Sequence, residues 1–524
     1  MTTGKFIFKA TLVIAFFSLM SKVLGLGRDI VIGGLIGTTY LADAYQMSLK
    51  APNMLFTIIS GALATVIVPV YTEYASRGEK SEAWKLFKTV MVVVTLFFLI
   101  ASIIGVIGSP LLVKLVAPGF SGETRALTVE LSRIILPWMI FAALASLFTQ
   151  LLNANNIFGL PAFSSSVNNI FIIIAAFTLG KLYGVYGLAL GTMLAMAAMA
   201  LVQFPALYKA GFRISLNLDL RHPGLKKIYL LALPSVLSLS VIQANVFVTF
   251  ILASWLPVGS VSSLGYADKL IQFSVGLLVT ALVTAVFPTI SRLAAEGEME
   301  AFAATLLGSL KVVIIGIVPA SVGLITLSHP IVNLIYAWGA FNQKSVEMTA
   351  AALLFYAVGT VGLAAGFLLV RGFYSLQDTS TPLKISIVQV LINLGLSLLL
   401  IGPFRHAGLA LATSLANLAY MALLMWYLGK KIPGLYQDGL LKFTLAVLAA
   451  AGLMATTSYT VNGALAGMIP GKTGLVIQLG LAVIAGAAVF VAAIFALRVK
   501  EAHIFWQSVR VALSKRLRAN GDGS

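Results

Sequence analysis

Long apolar segments, broken at glycines, prolines and charged clusters, recur along the 524-residue chain. A helix that crosses a bilayer needs about 20 such residues, whereas a membrane β-barrel strand would show a short alternating pattern. The sequence therefore predicts an all-α polytopic membrane protein with about fourteen transmembrane helices. The predicted limits of these spans are 8–35, 44–72, 86–113, 127–152, 160–181, 184–208, 227–255, 261–292, 303–328, 347–376, 381–402, 407–429, 440–461 and 473–497.

The composition supports this assignment and excludes several classes of function. Hydrophobic residues make up 60% of the chain, charged residues 10%, and the mean hydropathy is +1.00, more apolar than a soluble fold requires. There is no cysteine, the four histidines are not at ligand spacing, and no Gly-rich phosphate loop ends in Lys-Ser/Thr. We predict no metal site, no cofactor and no enzymatic activity, so energy would come from a partner, the membrane potential or a monovalent-cation gradient.

The basic residues predict the orientation in the membrane. They concentrate in loops that follow even-numbered spans, which by the positive-inside rule places both termini in the cytoplasm. This placement also accounts for the net charge of +18 without a nucleic-acid partner. The first span lacks a cleavage site and is predicted to be retained. The tail at 499–524 predicts a basic amphipathic helix on the inner leaflet.

The chain repeats itself. Gly187–Thr192 recurs as Gly408–Thr413 at an offset of 221, and Val68-Pro69 matches Phe287-Pro288 at an offset of 219. Repeats separated by an even number of spans share one orientation, which predicts two lobes of about six helices related by a pseudo-two-fold axis along the membrane normal. We assign the N-lobe to 1–215, the C-lobe to 216–432 and two extra helices to 433–498.

Basic residues lie inside spans that are otherwise apolar: Lys22, Arg28, Lys50, Lys269 and Arg371. A cation near the middle of a bilayer costs roughly 2.5–3.5 kcal/mol, so several together predict a polar cavity with an anionic occupant. A transporter of negatively charged cargo is the class of protein that this pattern favours.

The first span admits two interpretations of its charges. Gly25 and Gly27 lie between Lys22 and Arg28, and a bend at either glycine would turn both cations toward one cavity. The alternative for Arg28 is an ion pair with its neighbour Asp29.

The second and eighth spans each combine an acid with a base. Asp43 precedes Lys50, and Pro52-Asn53 marks a candidate hinge. Asp268 and Lys269 either neutralise each other, or Lys269 faces the cavity while Asp268 gates the outside. Asn245, Asp378 and Asn393 are candidates for a cation site, or else only form hydrogen bonds between helices.

The order of several motifs resembles the MurJ (MviN) family of lipid II flippases, in the MOP exporter superfamily. In the first half these motifs are Ser21–Gly25, Arg28-Asp29, Ala42–Ala44, Pro52-Asn53 and Val68-Pro69. In the second half they are Gly259–Ser262, Tyr266–Leu270, Phe287-Pro288 and Phe373–Thr379 with Thr381-Pro382. The resemblance covers residues 10 to 430.

This resemblance implies a multi-pass protein of the bacterial inner membrane that moves lipid II, the undecaprenyl-pyrophosphate-linked peptidoglycan precursor, from the inner to the outer leaflet. Lys22, Arg28 and Lys269 would bind the pyrophosphate, with Lys50 beside them. Asp43, Asp268 and Asp29 would form gates or charge pairs, the two extra helices would hold the lipid tail, and cell-wall synthases would be partners.

The chain also departs from the family pattern. Lysines replace family arginines at positions 22 and 269, and the stretch Met54–Gly61 lacks the Arg-Arg pair and the glutamate that usually follow Pro-Asn. Lysine binds phosphate as a point charge without the bidentate fork of arginine. Two rival functions therefore remain: a flippase for another polyprenyl-linked glycan, and a cation-coupled drug exporter. A drug exporter, however, would show buried acids rather than bases.

Overall fold

The computed structural model describes residues 3–213, 219–432, 435, 439–468 and 470–497, with side chains from residue 13 onward except at 280 and 281. These residues form nineteen α-helices and contain no β-strand, which confirms the all-α prediction. The basic tail predicted at 499–524 lies outside the described residues.

The helices follow one another along the chain. They are α1 (Thr3–Ile36), α2 (Tyr40–Ser76), α3 (Lys80–Ile107), α4 (Ser109–Val116), α5 (Gly122–Ile135), α6 (Trp138–Ala154), α7 (Gly159–Phe177), α8 (Leu179–Leu201), α9 (Phe204–Lys209), α10 (Pro223–Ala253), α11 (Ser260–Leu278), α12 (Thr280–Ala295), α13 (Met299–Thr326), α14 (Ser328–Tyr336), α15 (Gln343–Val358), α16 (Thr360–Ser375), α17 (Ser380–Lys431), α18 (Leu440–Ala464) and α19 (Gly471–Ala496).

Among the described residues, nine helices are long and apolar enough to cross a membrane, or twelve spans if each of three bent helix pairs counts as one. Of the two predicted spans beyond twelve, one falls on α1 and the other on α17, which covers the predicted spans 381–402 and 407–429 in a single run. The count of fourteen stays a prediction.

Several predicted spans are broken rather than straight. The span predicted at 127–152 consists of α5 and α6, which are bent by 40° around Leu136-Pro137. Pro137 has no N–H to continue the helical hydrogen bonds, which explains the break. The span predicted at 347–376 bends by 44° at Gly359, between α15 and α16.

Tertiary contacts group the chain into two compact units. Unit 1 consists of Met1–Lys269 and Tyr336–Met348, and unit 2 of Leu270–Ile335 and Thr349–Ser524. The core of unit 1 contains Phe87, Leu131, Met139 and Leu151, each at most 2% exposed. The units divide the chain near residue 269 rather than 215, so the lobe boundary inferred from the repeat stays a prediction.

The backbone repeats at the intervals that the sequence indicates. Two non-glycine residues with positive φ, Asn156 (61°) and Gln377 (58°), are 221 residues apart. Further along each half, α8 and α17 contain one non-helical residue each, Gly184 (φ 59°, ψ −136°) and Arg405 (φ 51°, ψ −131°), again 221 apart. Likewise α3 and α13 are both 28 residues long, at an offset of 219. The local geometry of the two halves therefore matches where their sequences match.

The candidate hinges lie inside continuous helices. Helix α1 passes through Gly25 and Gly27, and α2 passes through Pro52 and Asn53, without a break in either helix. The bend that was expected to bring Lys22 and Arg28 to one face stays a prediction.

Candidate functional site

A polar cavity of about 220 Å³ lies within unit 1. Six helices supply its charged, polar and aromatic walls. Its lining includes Arg28 and Asp29 of α1, Tyr45, Gln46, Lys50 and Asn53 of α2, Trp138 of α6, Asn168 of α7, Thr192 of α8, and Tyr266 and Lys269 of α11. The cavity thus combines three cations with one carboxylate and has a net positive charge.

Arg28 is the most constrained of the three cations. Its Nη2 and Nε donate to Asp29 Oδ1 at 2.8 and 3.0 Å, and its Nη1 donates to Asn169 Oδ1 at 3.1 Å. The side chains of Arg28 and Asp29 are only 22% and 13% exposed. Both interpretations of Arg28 therefore apply, because it forms an ion pair with Asp29 and also lines the cavity.

The two lysines of the cavity approach it from different helices. Lys50 Nζ lies 3.2 Å from the centroid of the Phe250 ring, a cation–π contact from α2 to α10. Lys269 is exposed on α11 and lines the same cavity. An ammonium group is a compact donor that can meet a phosphate oxygen without a fixed orientation.

Asp43 is buried, 2% exposed, and holds the start of α11. Its Oδ2 accepts a hydrogen bond from Gly259 N at 2.6 Å, and its Oδ1 accepts from Ser262 N at 2.8 Å and from Ser262 Oγ at 2.7 Å. The unpaired N–H groups and the dipole at a helix N-terminus favour such a carboxylate. Asp43 was predicted to pair with cations in a gate, but in this structure its partners are backbone and hydroxyl donors.

The other predicted charges lie in different places. Among the described residues, neither Lys22 nor Asp268 lines this cavity, although both are on helices that do. The guanidinium of Arg371 lies 5.1 Å from the centroid of Phe287, inside unit 2. The structure therefore brings together Arg28, Lys50 and Lys269, and the roles of Lys22, Asp268 and Asp29 in binding or gating stay predictions.

The candidates for a cation site form hydrogen bonds within their own units. Asn393 Oδ1 accepts from Ser397 Oγ and Thr413 Oγ1, both at 3.4 Å, and Asn245 O accepts from Thr249 Oγ1 at 3.4 Å. Across the described residues, no three histidine, aspartate or glutamate side chains are grouped as a metal site would require.

Asp378, in the turn before α17, accepts from Lys431 Nζ at 2.5 Å and from Thr381 N at 2.9 Å. Burial alone would raise the pKa of its carboxyl, but the hydrogen bonds from Lys431 and Thr381 outweigh it and lower that pKa to about 2. A lowered pKa adds stability that is complete above the unfolded value of 3.8 and is lost as the pH falls through about 2.

Replacing Asp378 with asparagine should therefore lower the free energy of unfolding by about 1 kcal/mol at neutral pH. Thermal unfolding of the purified protein, followed from pH 7 toward pH 3, would measure this difference. We expect the gap between the wild type and Asp378→Asn to narrow below about pH 4. A gap that stays constant down to pH 3 would contradict this contribution of the ion pair.

Several residues of the site were not identified from the sequence. Asn168 and Asn169 are neighbouring amide residues inside the apolar helix α7, and Asn169 contacts Arg28. Tyr45, whose hydroxyl is 2.7 Å from Thr192 Oγ1, and Tyr266 also belong to the cavity. The amide pair was a usable signal, because polar side chains within a membrane span are costly.

Known proteins resemble this chain over most of its length. The family model described as lipid II flippase MurJ matches residues 32–472. Lipid II flippase MurJ of Burkholderia cenocepacia is 30% identical over 460 residues, covering 86% of this chain and 89% of that protein. Probable lipid II flippase MurJ of Vibrio cholerae is 31% identical over 447 residues, covering 83% and 85%.

Solved structures resemble it as well. A lipid II flippase MurJ in an inward closed conformation gives a TM-score of 0.79 at 25% identity, covering 95% of this chain and 99% of that one. An inward-facing MATE multidrug-resistance transporter of the MOP superfamily gives 0.70 at 16% identity, covering 82% and 99%, which is a likeness of fold alone.

Proposed function

Because this chain belongs to the lipid II flippase MurJ family, we propose that it moves lipid II from the inner to the outer leaflet of the bacterial inner membrane by alternating access. It is a transporter and not an enzyme, and its membrane-spanning helices are those of a multi-pass protein. The relatives' names favour lipid II over another polyprenyl-linked glycan as the cargo.

The observation that carries this proposal is the placing of Arg28, Lys50 and Lys269 around one cavity. A pyrophosphate group has several negative charges and oxygen acceptors, and three cations around one cavity suit it. Arg28 offers a planar donor group, while the lysines supply charge without fixed geometry. Drug exporters of the same fold that bind cations would need the opposite charge.

The remaining features of the proposal rest on the sequence. Both termini lie in the cytoplasm by the distribution of basic residues, and α18 and α19 hold the polyprenyl tail. Energy comes from the membrane potential or a monovalent-cation gradient, since the sequence contains no nucleotide-binding loop. Cell-wall synthases, which consume the flipped precursor, are the proposed partners.

Complementation tests the proposal. A bacterium depleted of its own lipid II flippase would express this chain, and growth would be read together with the lipid II exposed on the outer leaflet. Rescue of both by the wild type is the expected result. A well-expressed, membrane-inserted wild type that restores neither would contradict lipid II as the cargo.

Variants of Lys269 and Lys22 test whether the cavity itself binds the cargo. In that assay Lys269→Ala, which removes a cavity charge, should lower lipid II exposure by about tenfold, the loss of one charge-assisted contact of about 1.4 kcal/mol. Lys22→Ala should have a smaller effect, because Lys22 does not line the described cavity. Equal losses in the two variants would mean that the cavity seen here is not the one that binds the head group.

A further inference from the structure

Asn169 joins α7 to α1 at the position of Arg28. Its Oδ1 accepts from Arg28 Nη1 at 3.1 Å, and its Nδ2 donates to Ser21 O at 3.0 Å and to Ser21 Oγ at 3.3 Å. The residue is 6% exposed. Both ends of the amide are therefore used, which fixes the orientation of its plane.

The sequence of α1 places the partners of this contact on one face. Ser21, Gly25 and Arg28 are spaced four and three residues apart, so they share one face of the helix. A Cβ atom at Gly25 would lie 3.6 Å from Asn169 Nδ2 and 3.8 Å from its Oδ1, in direct contact with the amide. Gly25 therefore lies directly beside the Asn169 amide, on the same face of α1 as the Ser21 and Arg28 that the amide binds.

A neutral amide is well suited to hold this arginine. A guanidinium group has five N–H donors, and three of them point to Asp29 and Asn169. One N–H on each Nη atom is left for a ligand. Asp29 offsets part of the positive charge, whereas Asn169 fixes the orientation of the group without removing any charge.

The second half of the chain provides an internal comparison. At the offset of 221 that relates α7 to α17, Asn169 corresponds to Val390. Helix α10 holds the seventh predicted span, six spans after that of α1, and its part after Pro234 contains no cation. The first half therefore has both Arg28 and Asn169, whereas the second half has neither a cation nor an amide at the matching positions. This pattern is expected if Asn169 serves Arg28 rather than the packing of the repeat.

We propose that Asn169 is a positioning residue that orients the free N–H groups of Arg28 toward the pyrophosphate of the cargo. The proposal rests on the function proposed above for Arg28. Asn169 acts through the arginine, so its contribution to binding should disappear when Arg28 is absent.

A double-mutant cycle with inorganic pyrophosphate as the probe tests this directly on the purified full-length protein. Calorimetric Kd values would be measured for the wild type, Asn169→Ala, Arg28→Ala and the double variant. We expect Asn169→Ala to weaken binding about tenfold, and Arg28→Ala and the double variant to weaken it equally, by about 100-fold. Gln389→Ala, which removes an amide–amide hydrogen bond to Asn417 in unit 2, is the matched control and should leave Kd unchanged.

Other outcomes would overturn the proposal. A purely structural role predicts that the two losses multiply to about 1,000-fold, with a lower melting temperature in both backgrounds. An unchanged Kd in Asn169→Ala, or a wild type that does not bind pyrophosphate, would also refute it. If Asn169→Ala does not fold, Asn169→Leu, which keeps a similar size and removes both polar atoms of the amide, replaces it in the cycle.

The cycle does not depend on flipping. Suppose that Arg28→Ala and the double variant weaken pyrophosphate binding equally, but the wild type fails complementation. That result would support the positioning role of Asn169 and reject lipid II as the cargo. Successful complementation, together with losses of pyrophosphate affinity that multiply in the double variant, would support lipid II transport and reject the positioning role.

Discussion

Replacing Arg28 with alanine should abolish rescue of a flippase-depleted bacterium, with lipid II exposure reduced about 100-fold or more, equivalent to about 2.7 kcal/mol. The variant loses the planar donor group of the cavity and leaves Asp29 without its ion-pair partner. The unpaired carboxylate would then repel an incoming pyrophosphate. Loss of attraction and gain of repulsion act in the same direction, which is why this change should be among the most damaging.

Two further variants separate transport from folding. In Arg28→Ala combined with Asp29→Ala, no unpaired carboxylate remains, so membrane insertion should be normal while transport stays low. Arg292→Ala removes an exposed arginine that is 3.2 Å from Glu296, and such surface pairs contribute little, so growth should be unaffected. Full rescue by Arg28→Ala at normal expression would show that the cavity does not bind the head group through this residue.

Replacing Asp43 with alanine should lower the free energy of unfolding by about 2–4 kcal/mol. The buried carboxylate accepts three hydrogen bonds from Gly259 and Ser262, and the change leaves two backbone N–H groups at the start of α11 without an acceptor. Thermal unfolding of the purified protein would measure the loss. Lipid II exposure should fall as well, since α11 positions Lys269.

A graded series tests the origin of this effect. Asp43→Asn keeps one oxygen acceptor and should be less damaging than alanine, and Ser262→Ala, which removes only the hydroxyl donor, should cost about 1 kcal/mol. If all three variants melt at the wild-type temperature, the capping of α11 does not stabilise the protein measurably.

The positions of most helices could be predicted from hydropathy alone. Helix α13 was predicted at 303–328 and spans Met299–Thr326, and α18 was predicted at 440–461 and spans Leu440–Ala464. The thickness of the bilayer sets the length of an apolar segment, so its limits can be read from the chain. The breaks at Pro137 and Gly359 were missed, because hydropathy does not register where a helical hydrogen bond is lost.

The site was predictable in its chemistry and less so in its geometry. Basic residues in apolar spans predicted a cationic cavity, because such residues are costly elsewhere in a membrane, and three of them line one cavity here. Lys22 and Arg28 are about 120° apart on an ideal helix, and of these two only Arg28 lines the cavity. The partners of Asp43 and Asn169 lie 216 and 141 residues away, a distance that no local pattern reveals.

The kinks at Gly184 and Arg405 occupy matching positions in the two halves of the chain. Main-chain conformation is the same at the two positions, although one is glycine and the other arginine. Glycine adopts a positive φ without steric cost, whereas a residue with a Cβ atom stores about 1–3 kcal/mol of strain there. The second half therefore carries backbone strain at Arg405 that the first half, with glycine at the matching position, avoids.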